Sequence, residues 1–131
     1  MNASYRFHLD LGYVLTTVEG RVTLPELGDL VQGLWSHPEW KPDYDGIMDF
    51  ATARLDLSER EMLDLAKSIY ADSRCSLGRW AIVVSTASDF GKARKVDHAA
   101  DPRATVRVFF DRPSAEEWLL SRAGTGGAKK S

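Results

Sequence analysis

The sequence GIMDFATARLDLSERE, residues 46–61, contains a change of pattern from strand to helix. Its first five residues are mostly apolar, as expected for a strand inside a sheet. Residues 51–57 are more polar and predict a loop. Ser58 then opens a helix, because Glu61 three residues later completes a capping box and an apolar stripe at helical spacing follows. The segment therefore predicts a buried strand that a polar loop joins to an amphipathic helix.

The residues before this segment predict a hairpin and a helix. Residues 5–11 and 13–19 are two runs rich in strand-forming residues, the first of which alternates between apolar and polar side chains, and Gly12 between them permits a tight reversal. These features are typical of an antiparallel pair near the edge of a sheet. A second capping box then predicts a helix over about residues 24–36.

The residues after it continue the alternation. The run RWAIVVS, residues 79–85, is largely apolar and predicts the central strand of the sheet, covered by helices on both faces. Ser88 and Asp89 stand where they would satisfy the first free amides of the next helix. Three more elements follow in chain order, a weaker helix over residues 88–100, a strand over 105–110 and a helix over 111–121.

This order of elements predicts an α/β fold. We expect a mixed, mostly parallel sheet of about five strands, with an N-terminal hairpin and about four helices on its two faces. The length of 131 residues fits one domain. We assign that domain to residues 1–123, and the glycine-rich residues 124–131 predict a flexible C-terminal tail.

The composition excludes several functional classes. The net charge is −2 and the basic residues are scattered, so the positive surface that nucleic-acid binding needs is not predicted. No apolar run approaches the roughly 20 residues of a membrane span. No secretory signal is visible, which predicts a cytoplasmic protein. Cys75 is the only cysteine, which excludes an internal disulfide and predicts a reduced, partly buried thiol.

Catalytic and metal-binding motifs are absent from the sequence. His8, His37 and His98 are not at ligand spacing with one another or with Cys75, and a metal site needs three or four convergent ligands. Neither a Gly-x-Ser-x-Gly elbow nor a glycine-rich phosphate loop occurs before the tail. The sequence therefore predicts a non-enzymatic protein without a cofactor or a metal.

The element order, together with Ile47-Met48-Asp49-Phe50 and the following Leu55-Asp56-Leu57-Ser58, resembles the SpoIIAA-like fold of STAS domains, named for sulfate transporters and anti-sigma factor antagonists. The resemblance covers most of the chain and places Ser58 where these domains carry a phosphorylated serine. Leu57 and Glu59 depart from the Asp-Ser-Ser-Gly loop of the family. The departures resemble STAS/Sec14-type bacterial proteins, many of which have no assigned activity.

Two roles are open for Ser58. As an N-cap, its hydroxyl accepts a hydrogen bond from the Glu61 amide, which stabilises the helix by about 1 kcal/mol. The resemblance implies phosphorylation as the alternative, although Asp56, Glu59 and Glu61 would repel a phosphate there.

Six polar residues follow two strands that we expect to be parallel neighbours, so they should gather at one rim of the sheet, where ligands and partners of such sheets usually bind. They are Asp49, Asp56, Ser58, Thr86, Ser88 and Asp89. This rim is the predicted interaction surface. The alternative is that these side chains only cap helices and turns.

Two further clusters each allow two interpretations. Trp35, Trp40 and Tyr44 crowd the first helix–strand connection, either as core residues or as a hot spot for self-association. A modest basic cluster near the third helix predicts either a solvated helix face or a site for an acidic partner. It consists of Lys92, Arg94, Lys95, Arg103 and Arg107.

The leading hypothesis is a regulatory module that binds another protein, or a second copy of itself as a dimer, through the rim. The alternative, implied by the Sec14-type resemblance, is a domain that binds a lipid or another small apolar ligand between helices and sheet. An apolar cavity of several hundred cubic ångströms would favour this alternative. An enzyme using Asp49 or Asp56 would need a carboxylate with a strongly raised pKa in a pocket.

Overall fold

The computed structural model of the protein describes residues 1–75, 78–99 and 105–126, without the side chains of residues 98 and 122–126. The described elements are, in chain order, β1 (Asn2–His8), β2 (Tyr13–Thr23), α1 (Leu24–Trp35), β3 (Asp45–Asp56), α2 (Glu59–Tyr70), β4 (Arg79–Val83), α3 (Ala87–His98), β5 (Thr105–Phe109) and α4 (Arg112–Gly126).

The five strands of the described residues form one sheet in the order β1-β2-β3-β4-β5. β1 pairs antiparallel with β2, and the other neighbouring pairs are parallel. The hairpin turn places Gly12 at a φ of 73°, a left-handed conformation that glycine adopts without steric cost. The predicted α/β class, the mixed and mostly parallel sheet, the opening hairpin and the four helices are therefore confirmed.

The helices divide unequally between the two faces of the sheet. Each parallel crossover advances by one strand in the same direction, and right-handed crossovers then place α1, α2 and α3 on one face. They bury Leu30, Met62 and Ala93 in the larger core. On the opposite face, α4 buries Ala115 and Leu119 in a smaller core. Both faces are thus covered, with most of the apolar volume beneath α1 to α3.

A close contact fixes α1 against the hairpin. The Tyr5 hydroxyl donates a hydrogen bond to the Leu30 carbonyl at 2.5 Å. A Cβ atom at Gly33 would lie 2.6 Å from the Tyr5 hydroxyl oxygen, so a larger residue at this position would have to displace the tyrosine that crosses the helix. Burial raises the pKa of the Tyr5 phenol, which keeps the hydroxyl protonated as a donor.

Several predicted strand positions are wrong. β1 begins at Asn2 and ends at His8, about three residues earlier than predicted. β2 continues to Thr23 and β3 to Asp56, so residues 51–56 extend a strand where a loop was predicted. The reason is that the two strands pair along this extension, which satisfies backbone groups that a loop would leave to water. β3, and not β4, is the middle strand.

The predicted tail begins at residue 124, whereas α4 extends to Gly126. Residues 127–131, the remainder of that predicted tail, lie outside the described residues. Arg103 of the predicted basic cluster also lies outside them.

Candidate functional site

Ser58 is the N-cap of α2. Its Oγ accepts a hydrogen bond from the Glu61 amide at 3.0 Å, and the Glu61 carboxylate accepts one from the Ser58 amide at 2.8 Å. The predicted capping box is therefore confirmed. The Ser58 hydroxyl satisfies an amide that the first turn of a helix leaves without an intrahelical partner. Phosphorylation of Ser58 stays a prediction.

The start of α3 differs from the prediction. Its N-cap is Thr86, whose hydroxyl accepts a hydrogen bond from the Asp89 amide at 3.1 Å. Ser88 and Asp89 therefore lie within the first turn of the helix and not at its cap. Ser88 is exposed. Asp89 is buried, with 1% of its surface exposed, so it is not part of an accessible rim.

Asp89 and Lys92 bind the backbone of β3. Asp89 Oδ2 accepts a hydrogen bond from the Leu55 amide at 3.3 Å, and Lys92 Nζ donates one to the Leu55 carbonyl at 2.7 Å. β3 pairs with β4 only from Gly46 to Asp49, so at Leu55 two side chains of α3 take the place of a neighbouring strand. Lys92, predicted in a basic surface cluster, thus has a structural role.

Asp49 lies apart from the other predicted rim residues. It is inside β3 and not at its end, and its Oδ1 accepts a hydrogen bond from the Ala51 amide at 2.9 Å. This bond lies where the register with β2 shifts, as at a β-bulge. Asp49 Oδ2 is also 3.6 Å from the Arg112 guanidinium of α4. Its side chain therefore serves the bulge and α4 and does not join the rim.

The remaining rim residues are exposed and follow the carboxyl ends of β3 and β4. Asp56 ends β3 and forms an exposed ion pair with Arg21. Phe110 directly follows β5 and is 55% exposed. Its ring stacks on Phe90 of α3, with centroids 5.0 Å apart and planes 9° from parallel. We call the set Asp56, Ser58, Thr86, Ser88, Phe90 and Phe110 the strand-end surface.

A cavity of about 120 Å³ lies between the sheet and the layer of α1, α2 and α3, and it is partly open to solvent. The atoms that line it are almost entirely apolar. The lining residues belong to all three helices and to the sheet. They include Leu34, Met48, Ala66, Ile69, Val96 and Val106. The cavity is smaller than the roughly 300–1,000 Å³ of drug-sized pockets and close to the roughly 150 Å³ of an apolar cavity that binds benzene.

Aromatic side chains form part of the cavity wall. Trp35, Trp40 and Trp80 line it, and the centroids of the Trp40 and Trp80 rings are 6.2 Å apart. A Cβ atom at Gly46 would lie 2.3 Å from the Trp80 ring. Trp80 therefore lies directly against the backbone of β3, which only glycine permits. Trp35 and Trp40 thus pack at the inner side of the helix layer, in line with the core interpretation, and self-association through them stays a prediction.

An ion pair lies beside this wall. The Arg74 guanidinium sits 4.8 Å from the Trp35 ring centroid, within the range of a cation–π contact. Asp72 holds it there, with its Oδ2 2.9 Å from Arg74 Nη2. Hydrogen bonds from the Arg74 side chain and amide lower the pKa of Asp72 to about 2. The carboxylate is therefore charged across the physiological pH range.

Within the described ranges, no three His, Cys, Asp or Glu side chains are grouped so as to hold a metal ion. His8 and His37 are engaged in ring contacts, His8 with Tyr13 at 4.7 Å and His37 with Phe7 at 4.4 Å.

In the part of the chain that the structure describes, every helix falls short of the length and apolar content needed to cross a membrane.

Sequence reasoning suggested a site between helices and sheet only through the Sec14-type resemblance, and it did not locate this cavity or its lining residues. Its lining residues follow the helix and strand periodicities of an ordinary core, and periodicity does not show whether a core is completely filled. One signal was available, since three tryptophans and Tyr44 lie in or near the elements that border β3. Such large side chains leave irregular gaps unless their neighbours match them.

No protein-family model and no curated protein matches the sequence. Among solved structures, the chain is similar to an uncharacterised protein of the DUF3478 family from Shewanella loihica PV-4, described as having a SpoIIAA-like fold. The two share 17% sequence identity, the alignment covers 90% of this chain and 92% of that chain, and the TM-score is 0.55. At this identity the likeness shows the fold alone. The predicted SpoIIAA-like fold is confirmed.

Proposed function

We propose that the chain is a non-enzymatic binding module that holds a small apolar molecule in the cavity between α1–α3 and the sheet. The observation that carries this proposal is an apolar cavity of about 120 Å³ in the larger core. The side chains that line a cavity of this size lack dispersion contacts on the side that faces the cavity. A ligand restores those contacts, so the free energy of unfolding rises when the cavity is occupied.

Ligand binding now stands before protein binding, which is the reverse of the ranking of the two hypotheses drawn from the sequence. Protein binding ranked first because of the fold resemblance and the absence of a catalytic grouping, and the rim was the surface expected to carry it. Asp89 is buried against Leu55 and Asp49 serves a bulge, which weakens that argument. The cavity, in turn, gives the ligand hypothesis a physical site, although its volume of about 120 Å³ is below the several hundred cubic ångströms named for that hypothesis and limits the apolar part of a ligand to about one aromatic ring.

The test is binding of a plain hydrocarbon. We expect toluene to shift the methyl resonances of cavity residues in a saturable NMR titration and to raise the melting temperature. Ala66→Leu should abolish both effects, because Ala66 is 1% exposed and lines the cavity, so the larger side chain fills the space. Ala71→Leu is the matched control, since Ala71 is exposed at the end of α2 and should leave binding unchanged.

Two results would contradict the proposal. One is the absence of saturable binding to the unaltered protein by toluene and by larger and smaller hydrocarbons. The other is binding that Ala66→Leu leaves intact while its amide spectrum stays native. Native mass spectrometry of the protein purified from its own host would identify the natural ligand.

The strand-end surface supports a second candidate function, binding of a protein partner or of a second copy of the chain. The supporting observation is the exposed Phe110 ring stacked on Phe90, since aromatic side chains are enriched at interfaces. Phe110→Asp should abolish self-association measured by light scattering. Leu9→Asp is the control, because Leu9 is also exposed, at 57%, in the hairpin turn. A monomer at all concentrations, with no captured partner that Phe110→Asp releases, would dispose of this candidate.

A further inference from the structure

The first strand is an edge of the sheet, and its outer backbone is unpaired. Within the described sheet, β1 has only β2 as a neighbour, so every second residue directs its N–H and C=O away from the sheet. Among the described residues, the β1 backbone is bonded only along β2 and at the turn, where the His8 carbonyl accepts from the Leu11 and Gly12 amides. The outward groups are therefore free to pair with another strand.

Most of the devices that protect such an edge are missing from β1. Natural proteins shorten their edge strands, or interrupt them with proline, bulges and charged side chains. β1 is seven residues long, contains no proline and pairs with β2 without a register shift. Its one charged residue is Arg6, which is exposed and forms no ion pair within the described part of the chain. The strand thus keeps the features that favour pairing.

The sequence of β1 is complementary to itself in the antiparallel orientation. When two copies meet about a two-fold axis at Tyr5, all seven residues of the strand pair. The facing pairs are Tyr5 with Tyr5, Ala3 with Phe7, Ser4 with Arg6, and Asn2 with His8. The larger side chain of each unlike pair therefore meets a smaller one. Residues with outward backbone groups also face each other, as an antiparallel ladder requires.

Charge and hydrogen bonding select this register. An axis at Arg6 would place the two guanidinium groups directly opposite each other, and facing like charges destabilise a sheet. An axis at Ser4 would leave His8 outside the pairing. An axis between two residues would bring outward backbone groups opposite groups that are already bonded to β2. The axis at Tyr5 pairs the whole strand and keeps the two charges apart.

We infer that two copies of the chain form a dimer by antiparallel pairing of β1 with β1, which joins the two sheets into one. Such a two-fold interface is closed, so it stops at two copies. The inference goes beyond the proposed ligand site, since β1 contributes no residue to the cavity lining. For a second copy, β1 takes the place of the strand-end surface, which is left to a different protein.

Two substitutions of Ser4 test the register, because Ser4 is exposed and faces the partner's Arg6 in the dimer. The dissociation constant of the dimer is measured by analytical ultracentrifugation. Ser4→Glu sets a carboxylate opposite each Arg6 and should lower this constant about fivefold, whereas Ser4→Lys should raise it by about as much. The same two changes at Ser88, which is exposed on the strand-end surface, should leave it unchanged.

A second readout uses the unaltered protein. Amide hydrogen exchange should slow at every second residue of β1 as the protein concentration rises, because those amides are bonded only in the dimer. The inference is overturned by a monomer at all concentrations, by a dimer with unchanged exchange in β1, or by equal constants for Ser4→Glu and Ser4→Lys. A dimer that Phe110→Asp dissociates and Ser4→Lys leaves intact would also overturn it, in favour of the strand-end surface. None of these results bears on the cavity, which the toluene titration tests separately.

Discussion

Asp89 of α3 accepts a hydrogen bond from the Leu55 amide at 3.3 Å, beyond the point where β3 stops pairing with β4. The contact joins the outer half of the longest strand to the helix layer that roofs the cavity. Asp89 is one of few polar side chains in the described core, at 1% exposure. Its carboxylate supplies the Leu55 amide with an acceptor where β3 continues past its parallel neighbour.

Replacing this carboxylate should destabilise the fold. Asp89→Ala leaves the buried Leu55 amide without an acceptor, and we expect the free energy of unfolding to fall by about 1–3 kcal/mol in urea denaturation. Asp89→Asn keeps an acceptor oxygen and should lose less. Asp29→Ala, at an exposed position of α1, is the control and should change stability by about 0.5 kcal/mol or less. Equal losses for Asp89→Ala and Asp29→Ala would show that the contact contributes nothing.

Ser58→Ala should lower the free energy of unfolding by about 1 kcal/mol, the usual contribution of an N-cap. The reason is that the Glu61 amide loses its acceptor at 3.0 Å. Ser88→Ala serves as the control, because Ser88 is an exposed serine within the first turn of α3. Similar stability of Ser58→Ala and the unaltered protein would remove the capping role. Stoichiometric phosphorylation of Ser58 in protein from the native host would establish the alternative role.

The fold was largely predictable because its elements carry local signals. The capping box at Ser58 and the alternation around Gly12 depend on residues close in sequence. The extension of β3 was not predictable in this way. A register shift after Asp49 changes the face of the sheet on which the later side chains lie, because Ile47 belongs to the smaller core and Ala53 and Leu55 belong to the larger one.

The site was less predictable than the fold because it depends on contacts between distant residues. Asp89 and Leu55 are 34 positions apart, and nothing in their local sequence pairs them. The cavity is a still weaker signal, since it is the volume that packed side chains leave unfilled.

Gly46→Ala should both destabilise the protein and change the ligand site. The added methyl would lie 2.3 Å from the Trp80 ring, so the indole has to move, at a cost of about 1–3 kcal/mol for overpacking. We expect weaker toluene binding and altered tryptophan fluorescence. Gly28→Ala is the matched control, because a Cβ there meets nothing within 4 Å, and a helix gains about 0.5–1 kcal/mol from this change. A stable Gly46→Ala protein with unchanged toluene affinity would contradict the prediction.

The Asp72 carboxyl should titrate with a pKa of about 2, lowered from 3.8 by its hydrogen bonds to Arg74. A lowered pKa in the folded state means that the pair stabilises the fold above pH 3.8, and that this contribution is lost as the pH falls towards 2. An NMR titration of the Asp72 carboxyl carbon measures the value directly. In Arg74→Gln the same carboxyl should titrate at higher pH, because the guanidinium that holds the proton off is gone. The Trp35 indole resonance should follow the same low-pH step in the unaltered protein and lose it in Arg74→Gln, since Arg74 is 4.8 Å from that ring. A midpoint near 3.8 in the unaltered protein would show that Asp72 does not hold Arg74 against the cavity wall.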